Sequence, residues 1–133
     1  MKSGLTIQEL AADDRAFLLK IRDTVLTAVN EANFSRVVEM MQEAANAKMN
    51  TANVPEVVRL ASRDFGITDE EHPGVLQHLI DGRDLTLYGL ANAVTRYSQD
   101  VASYDRATDL ESIGYNILSM PAKRWNSINQ MAA

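Results

Sequence analysis

The chain has 133 residues, 46% of them hydrophobic, with no cysteine and a formal net charge of −5. That length predicts a single domain over residues 1–133, large enough to bury a core without covalent staples. The missing cysteines exclude disulfides, thiolate metal sites and a cysteine nucleophile, and the acidic balance works against unspecific binding to phosphate backbones.

Residues 1–15 contain no apolar core of about 7–15 residues, so no secretory signal is expected. No run of about 18 apolar residues exists to span a membrane. The absence of cysteine fits a reducing cytosol, and a cytoplasmic chain away from membranes is the expectation. Charge is uneven along the sequence: every acid lies at or before Glu111, and residues 112–133 carry Lys123 and Arg124 and no acid.

Helical periodicity runs through the first half. Residues 14–32 place Phe17, Leu18, Ile21, Val25, Ala28, Val29 and Ala32 at steps of three and four, with Asp13 or Asp14 as the cap. A second helix is expected over residues 34–48, with Phe34, Val37, Val38, Met41 and Ala45 on one face. The polar stretch Asn46–Asn53 reads as a loop or a frayed helix end. A third helix starts at Asn53 with Pro55 in its first turn, shows Val57, Val58, Ala61 and Phe65 on one face, and closes at Gly66.

Thr68 with Glu71 forms a capping box for the next helix, whose apolar face is Val75, Leu76, Leu79 and Ile80 and whose end is Gly82. Thr86 is the cap expected for a helix through Tyr97. Another helix spans Tyr104 to Leu118, with Ala107, Leu110, Ile113 and Ile117 inward, and Pro121 opens a last short one with Trp125, Ile128 and Asn129 on one face. No segment alternates apolar and polar residues as a strand does. The expectation is a mainly α fold, a compact bundle of six to seven helices and not an oligonucleotide-binding barrel.

Catalytic and metal motifs are missing. His72 and His78 lie six apart, the wrong spacing for a zinc-gripping pair on a helix. Asp69, Glu70 and Glu71 sit where a helix dipole favours acids, which explains them without a cation. Gly82 and Gly89 are isolated and make no phosphate loop, and no serine sits in a nucleophile elbow. The chain is therefore read as a non-enzyme that needs no cofactor and no metal.

The aromatics are the more informative pattern. Tyr88, Tyr97, Tyr104, Tyr115 and Trp125 all follow residue 87, interleaved with Arg83, Arg96, Arg106, Lys123 and Arg124. Flat rings stack on unpaired bases and neighbouring cations hold phosphates, the two devices of single-strand binders. The same rings can equally sit half-buried with their polar tips in water. Candidate nucleic-acid contacts are Arg83, Arg96, Arg106, Lys123 and Arg124 for phosphates, and Tyr88, Tyr97, Tyr104 and Trp125 for stacking. Asn92 and Thr95 are expected to tie to nearby backbone.

Residues 85–128 carry Thr86, Tyr88-Gly89, Asn92-Ala93-Val94-Thr95, Tyr97, the run Tyr-Asp-Arg-Ala-Thr (104–108) and the ending Leu-Ser-Met-Pro…Trp (118–125). This third of the chain resembles the C-terminal part of a phage- and plasmid-encoded family of unknown function. It departs from that pattern in having Tyr88 where Trp is common and in lacking the long N-terminal portion of the larger members. A short chain of this kind also resembles the single-stranded-DNA-binding RNA polymerase cofactors of lytic podoviruses. That resemblance implies binding of single-stranded DNA, self-association into a homo-oligomer, recruitment of a phage RNA polymerase, and a place in the host cell cytoplasm. The alternative is a protein-interaction module, such as a phage-encoded inhibitor of a host protein, for which an acidic surface suits a basic partner. An enzyme is the third and least supported class.

Overall fold

The computed structural model describes residues 31–132, and the side chains from Ser35 onward. The helix expected over residues 14–32 lies, but for its last two residues, outside them. Six α-helices follow: α1 (Glu31–Asn46), α2 (Val54–Phe65), α3 (His72–Gly82), α4 (Leu87–Tyr97), α5 (Tyr104–Ile117) and α6 (Ala122–Met131). Short 3-10 turns at Thr51–Asn53 and Ser98–Asp100 lead into α2 and out of α4. The described residues are mainly α with no β-strand, as the periodicity predicts.

The helix ends follow from local chemistry. Asn53 accepts the Glu56 N–H (3.4 Å) at the start of α2, with Pro55 in the first turn. Gly66 closes that helix at φ 80°, a left-handed conformation that costs glycine little. Thr68 and Glu71 form the reciprocal box (3.0 and 3.3 Å), but it caps a turn ahead of α3 rather than α3 itself, which begins at His72. Thr86 accepts the Gly89 N–H (3.0 Å) and Ser103 accepts the Arg106 N–H (3.3 Å), fixing the starts of α4 and α5.

Helix α3 ends at Gly82, as the sequence predicts. Arg96 fills the space where a Gly82 Cβ would sit, 2.3 Å from its Nη2. The left-handed position falls on Arg83 (φ 57°), whose N–H donates to Leu79 O (3.1 Å) and Ile80 O (3.2 Å).

Helix α4 is the centre of the packing and lies against α5, α3 and α1. Its Leu87, Tyr88, Leu90, Ala91, Ala93 and Val94 are all buried. Around it, α1 contributes Val37, Val38, Met41 and Ala44, α2 Val57, Val58 and Ala61, α3 Val75 and Leu79, α5 Leu110 and Ile117, and α6 Trp125 and Ile128. Two expected core positions face outward: Ala45 is exposed while Ala44 is buried, and Ile80 is 51% exposed.

The segment after α1 is extended rather than frayed. Met49 N–H donates to Leu85 O (3.0 Å) and Leu87 N–H to Ala47 O (2.9 Å), forming an isolated antiparallel bridge between Lys48 and Thr86.

Candidate functional site

The nine residues expected to hold nucleic acid differ widely in exposure and in their partners. Tyr88 and Trp125 are 5% and 3% exposed and pack in the core, so neither presents a ring face to a base. Trp125 directs its indole N–H to Lys48 O (3.0 Å), which ties α6 to the bridge segment. Tyr97 is half-buried with its ring over Gly74, where a Cβ would lie 2.2 Å from the ring edge. His78 meets that ring edge-on at 6.3 Å. Burial raises the Tyr97 phenol pKa, with the carboxylates of Glu71 and Asp100 adding to the shift.

Two of the arginines are paired by carboxylates from distant sequence. Arg106 donates through Nε (2.8 Å) and Nη2 (2.6 Å) to Glu71 and through Nη2 to Gly66 O (3.0 Å). The Arg106 guanidinium holds the Glu71 carboxyl well below its usual range, at about 2. Arg124 donates to both oxygens of Asp64 (2.6 and 2.8 Å), joining α6 to α2 and lowering the Asp64 pKa. Arg96 lies against Gly82 and reaches His78 O at 3.4 Å, pinned beneath the end of α3. Tyr104 (83% exposed), Arg83 and Lys123 remain at the surface.

The helix-borne Thr95 donates to Ala91 O (3.0 Å) as expected, and its hydroxyl sits against Gly114. Asn92 is half-buried. His72 contacts Pro55 O (3.1 Å) and His78 contacts Asp100 (2.6 Å). Among the described residues no group of three or more His, Asp or Glu could hold a metal.

Two surface features escaped sequence reasoning. A shallow apolar depression of about 410 Å³ is lined by Val54, Pro55, Ile80, Arg83 and Leu85. A cleft of about 570 Å³ opens between the end of α1 and the start of α6. Its apolar wall includes Leu87, Leu118, Met120 and Trp125, and its polar edge carries Glu43, Asn46, Lys48 and Asn126. A second hollow of about 510 Å³ adjoins it through Lys48 and Asn126 and adds Asn50, Asn129 and Gln130.

The sequence holds one hint of this cleft. Ala122, Asn126, Asn129 and Gln130 recur at steps that share a helix face. The other wall is the Asn-rich stretch after α1, and the bonds joining the two bridge 77 to 79 residues of sequence. No protein-family model matches the chain, and neither a curated protein nor a solved structure matches it.

Proposed function

We propose that this chain acts by binding another protein, without nucleic acid. The observation that carries this reading is the loss of nucleic-acid contacts to the fold: two candidate phosphate cations are held by carboxylates and two candidate stacking rings are buried. Ile80, half out in solvent beside the depression of Val54, Pro55 and Leu85, is a small apolar spot for a protein partner. Exposed apolar surface beside a polar rim suits a protein partner, whereas a nucleic acid needs unpaired cations and open rings. Here Arg106 and Arg124 already hold carboxylates, and the rings of Tyr88 and Trp125 are in the core.

Fluorescence anisotropy with labelled single- and double-stranded oligonucleotides, at 50 and 200 mM salt, tests this directly. The expected result is no saturable binding at either salt. Saturation with a preference for single strands, weakening with salt, would overturn the reading. A second copy of the chain is one protein partner that the patch suits. Light scattering should then find a species heavier than 14.7 kDa for the wild type, reduced to that mass by Ile80→Glu.

The single-stranded-DNA reading, with a phage RNA polymerase as partner, keeps one specific support. Tyr104 stands 83% exposed at the first turn of α5, and Arg83 and Lys123 are exposed cations. On that reading Tyr104→Ala and Lys123→Ala each weaken oligonucleotide binding, and Trp125 plays no direct part.

A further inference from the structure

The cleft between α1 and α6 is built differently from the apolar patch. Its volume, about 570 Å³, falls within the roughly 300–1,000 Å³ of ordinary ligand sites. Leu118 and Met120 supply an apolar wall. The cleft's polar edge carries Asn46 and Asn126 beside Glu43 and Lys48, and the adjoining hollow continues it with Asn50, Asn129 and Gln130. These carboxamides divide into two sets.

Asn50 and Asn129 are locked to each other. Asn50 N–H donates to Asn129 Oδ1 (2.7 Å) and Asn50 Nδ2 to Asn129 O (3.0 Å). Asn129 Nδ2 in turn donates to Trp125 O (3.0 Å), and Asn50 Oδ1 accepts the Ala52 N–H (2.9 Å). This set makes a rigid wall.

Asn46 and Asn126 are exposed on the cleft's edge, and Gln130 is exposed in the hollow that adjoins it at Asn126. Each carboxamide offers one acceptor and two donors, the complement of a peptide group, which offers one of each. The charges on this edge, Glu43 and Lys48, cancel. A phosphate would meet Glu43 with a single lysine to offset it, and a cation would find one carboxylate. A neutral ligand rich in amides, carrying an apolar side chain for the Leu118 and Met120 wall, matches both halves of the site.

We propose that the α1–α6 cleft and the hollow adjoining it bind an extended peptide segment of a partner protein, seating one apolar side chain against Leu118 and Met120 while Asn46 and Asn126 in the cleft and Gln130 in the hollow pair with its backbone. This rests on the protein-binding reading above and assigns it a second, separate surface.

The test uses the full chain, isotopically labelled for amide NMR, titrated with the capped tripeptide acetyl-Ala-Leu-Ala-amide. Acetyl-Ala-Gly-Ala-amide and thymidine monophosphate serve as comparisons. The leucine peptide should shift amide signals of residues 43–50 and 118–130 saturably, and bind at least tenfold more tightly than either comparison. Ala122→Trp, an exposed position on the cleft wall, should abolish those shifts with an unchanged thermal midpoint. Asn126→Ala should weaken binding about threefold to tenfold, the loss of one or two peptide hydrogen bonds.

Absence of saturable shifts, shifts centred elsewhere, tighter binding of thymidine monophosphate, or wild-type binding by a folded Ala122→Trp each overturn the proposal. A silent peptide titration sinks this cleft alone and leaves the patch at Ile80 standing. Saturable oligonucleotide binding would sink the protein-binding reading itself.

Discussion

Trp125 shows how much a single side chain's surroundings decide. Its indole N–H holds Lys48 O, its own carbonyl accepts Asn129 Nδ2, and Asn129 holds Asn50. The ring therefore fastens the extended segment after α1 to α6, and it is the chain's one tryptophan. Its emission should be blue-shifted, poorly quenched by acrylamide, and unchanged when single-stranded oligonucleotide is added. A base stacked on the indole would quench it, so a dose-dependent quench would refute the core assignment. Trp125→Phe keeps most of the packing but leaves Lys48 O without this donor. The expected cost is about 1–2 kcal/mol by urea unfolding, against about 3–5 kcal/mol for Trp125→Ala.

At the scale of elements, the contact of α4 with α5 rests on Gly114. A Cβ there would lie 2.3 Å from Thr95 Oγ1 and 3.1 Å from Ala91 O. Gly114→Ala should destabilise by about 1–3 kcal/mol, although alanine favours a free helix. Thr95→Ala makes room, so the double variant should recover part of the loss, a coupling of about 0.5–2 kcal/mol in a thermodynamic cycle. Strict additivity of the two single variants would show that the clash is absorbed elsewhere. Helix ends were legible in the sequence because their causes are local: Asn53, Pro55, Gly66 and Thr86 act within a few residues of themselves. Which apolar residues would be covered was less legible. Ile80 shares a helical period with Leu76, yet it faces outward beside Val54 and Leu85. The left-handed residue after α3 is Arg83, and the seat of Arg96 against Gly82 is a contact no local pattern encodes.

The described residues are cross-tied by charge, and these ties are hidden in the sequence. Arg106 and Arg124 look like phosphate hooks in a sequence because their acids, Glu71 and Asp64, stand 35 and 60 residues away. Folded, Arg106 ties α5 to the turn before α3, Arg124 ties α6 to α2, and Arg59 pairs with Glu56 within α2. Each of these carboxyls has its pKa lowered first by the hydrogen bond from its arginine, and Glu71 falls to about 2. A depressed carboxyl pKa adds stability that is fully present above the unfolded value, near 4.3 for Glu, and is lost as pH falls through the folded value. The thermal midpoint should thus hold steady from neutral pH down to about 5 and decline between about 4.5 and 2. Acids across the whole chain contribute to that decline, so the informative quantity is a difference. Glu71→Gln mimics the protonated carboxyl and should be less stable than wild type by about 1–2 kcal/mol at pH 7, discounted for the partial solvent exposure of the pair. The gap should narrow below pH 4.5 and vanish only below pH 2, as wild-type Glu71 itself becomes protonated. A gap constant with pH would mean that the substitution acts through packing or the Thr68 cap, and that the Arg106 pair adds nothing to the link between α5 and the α3 turn.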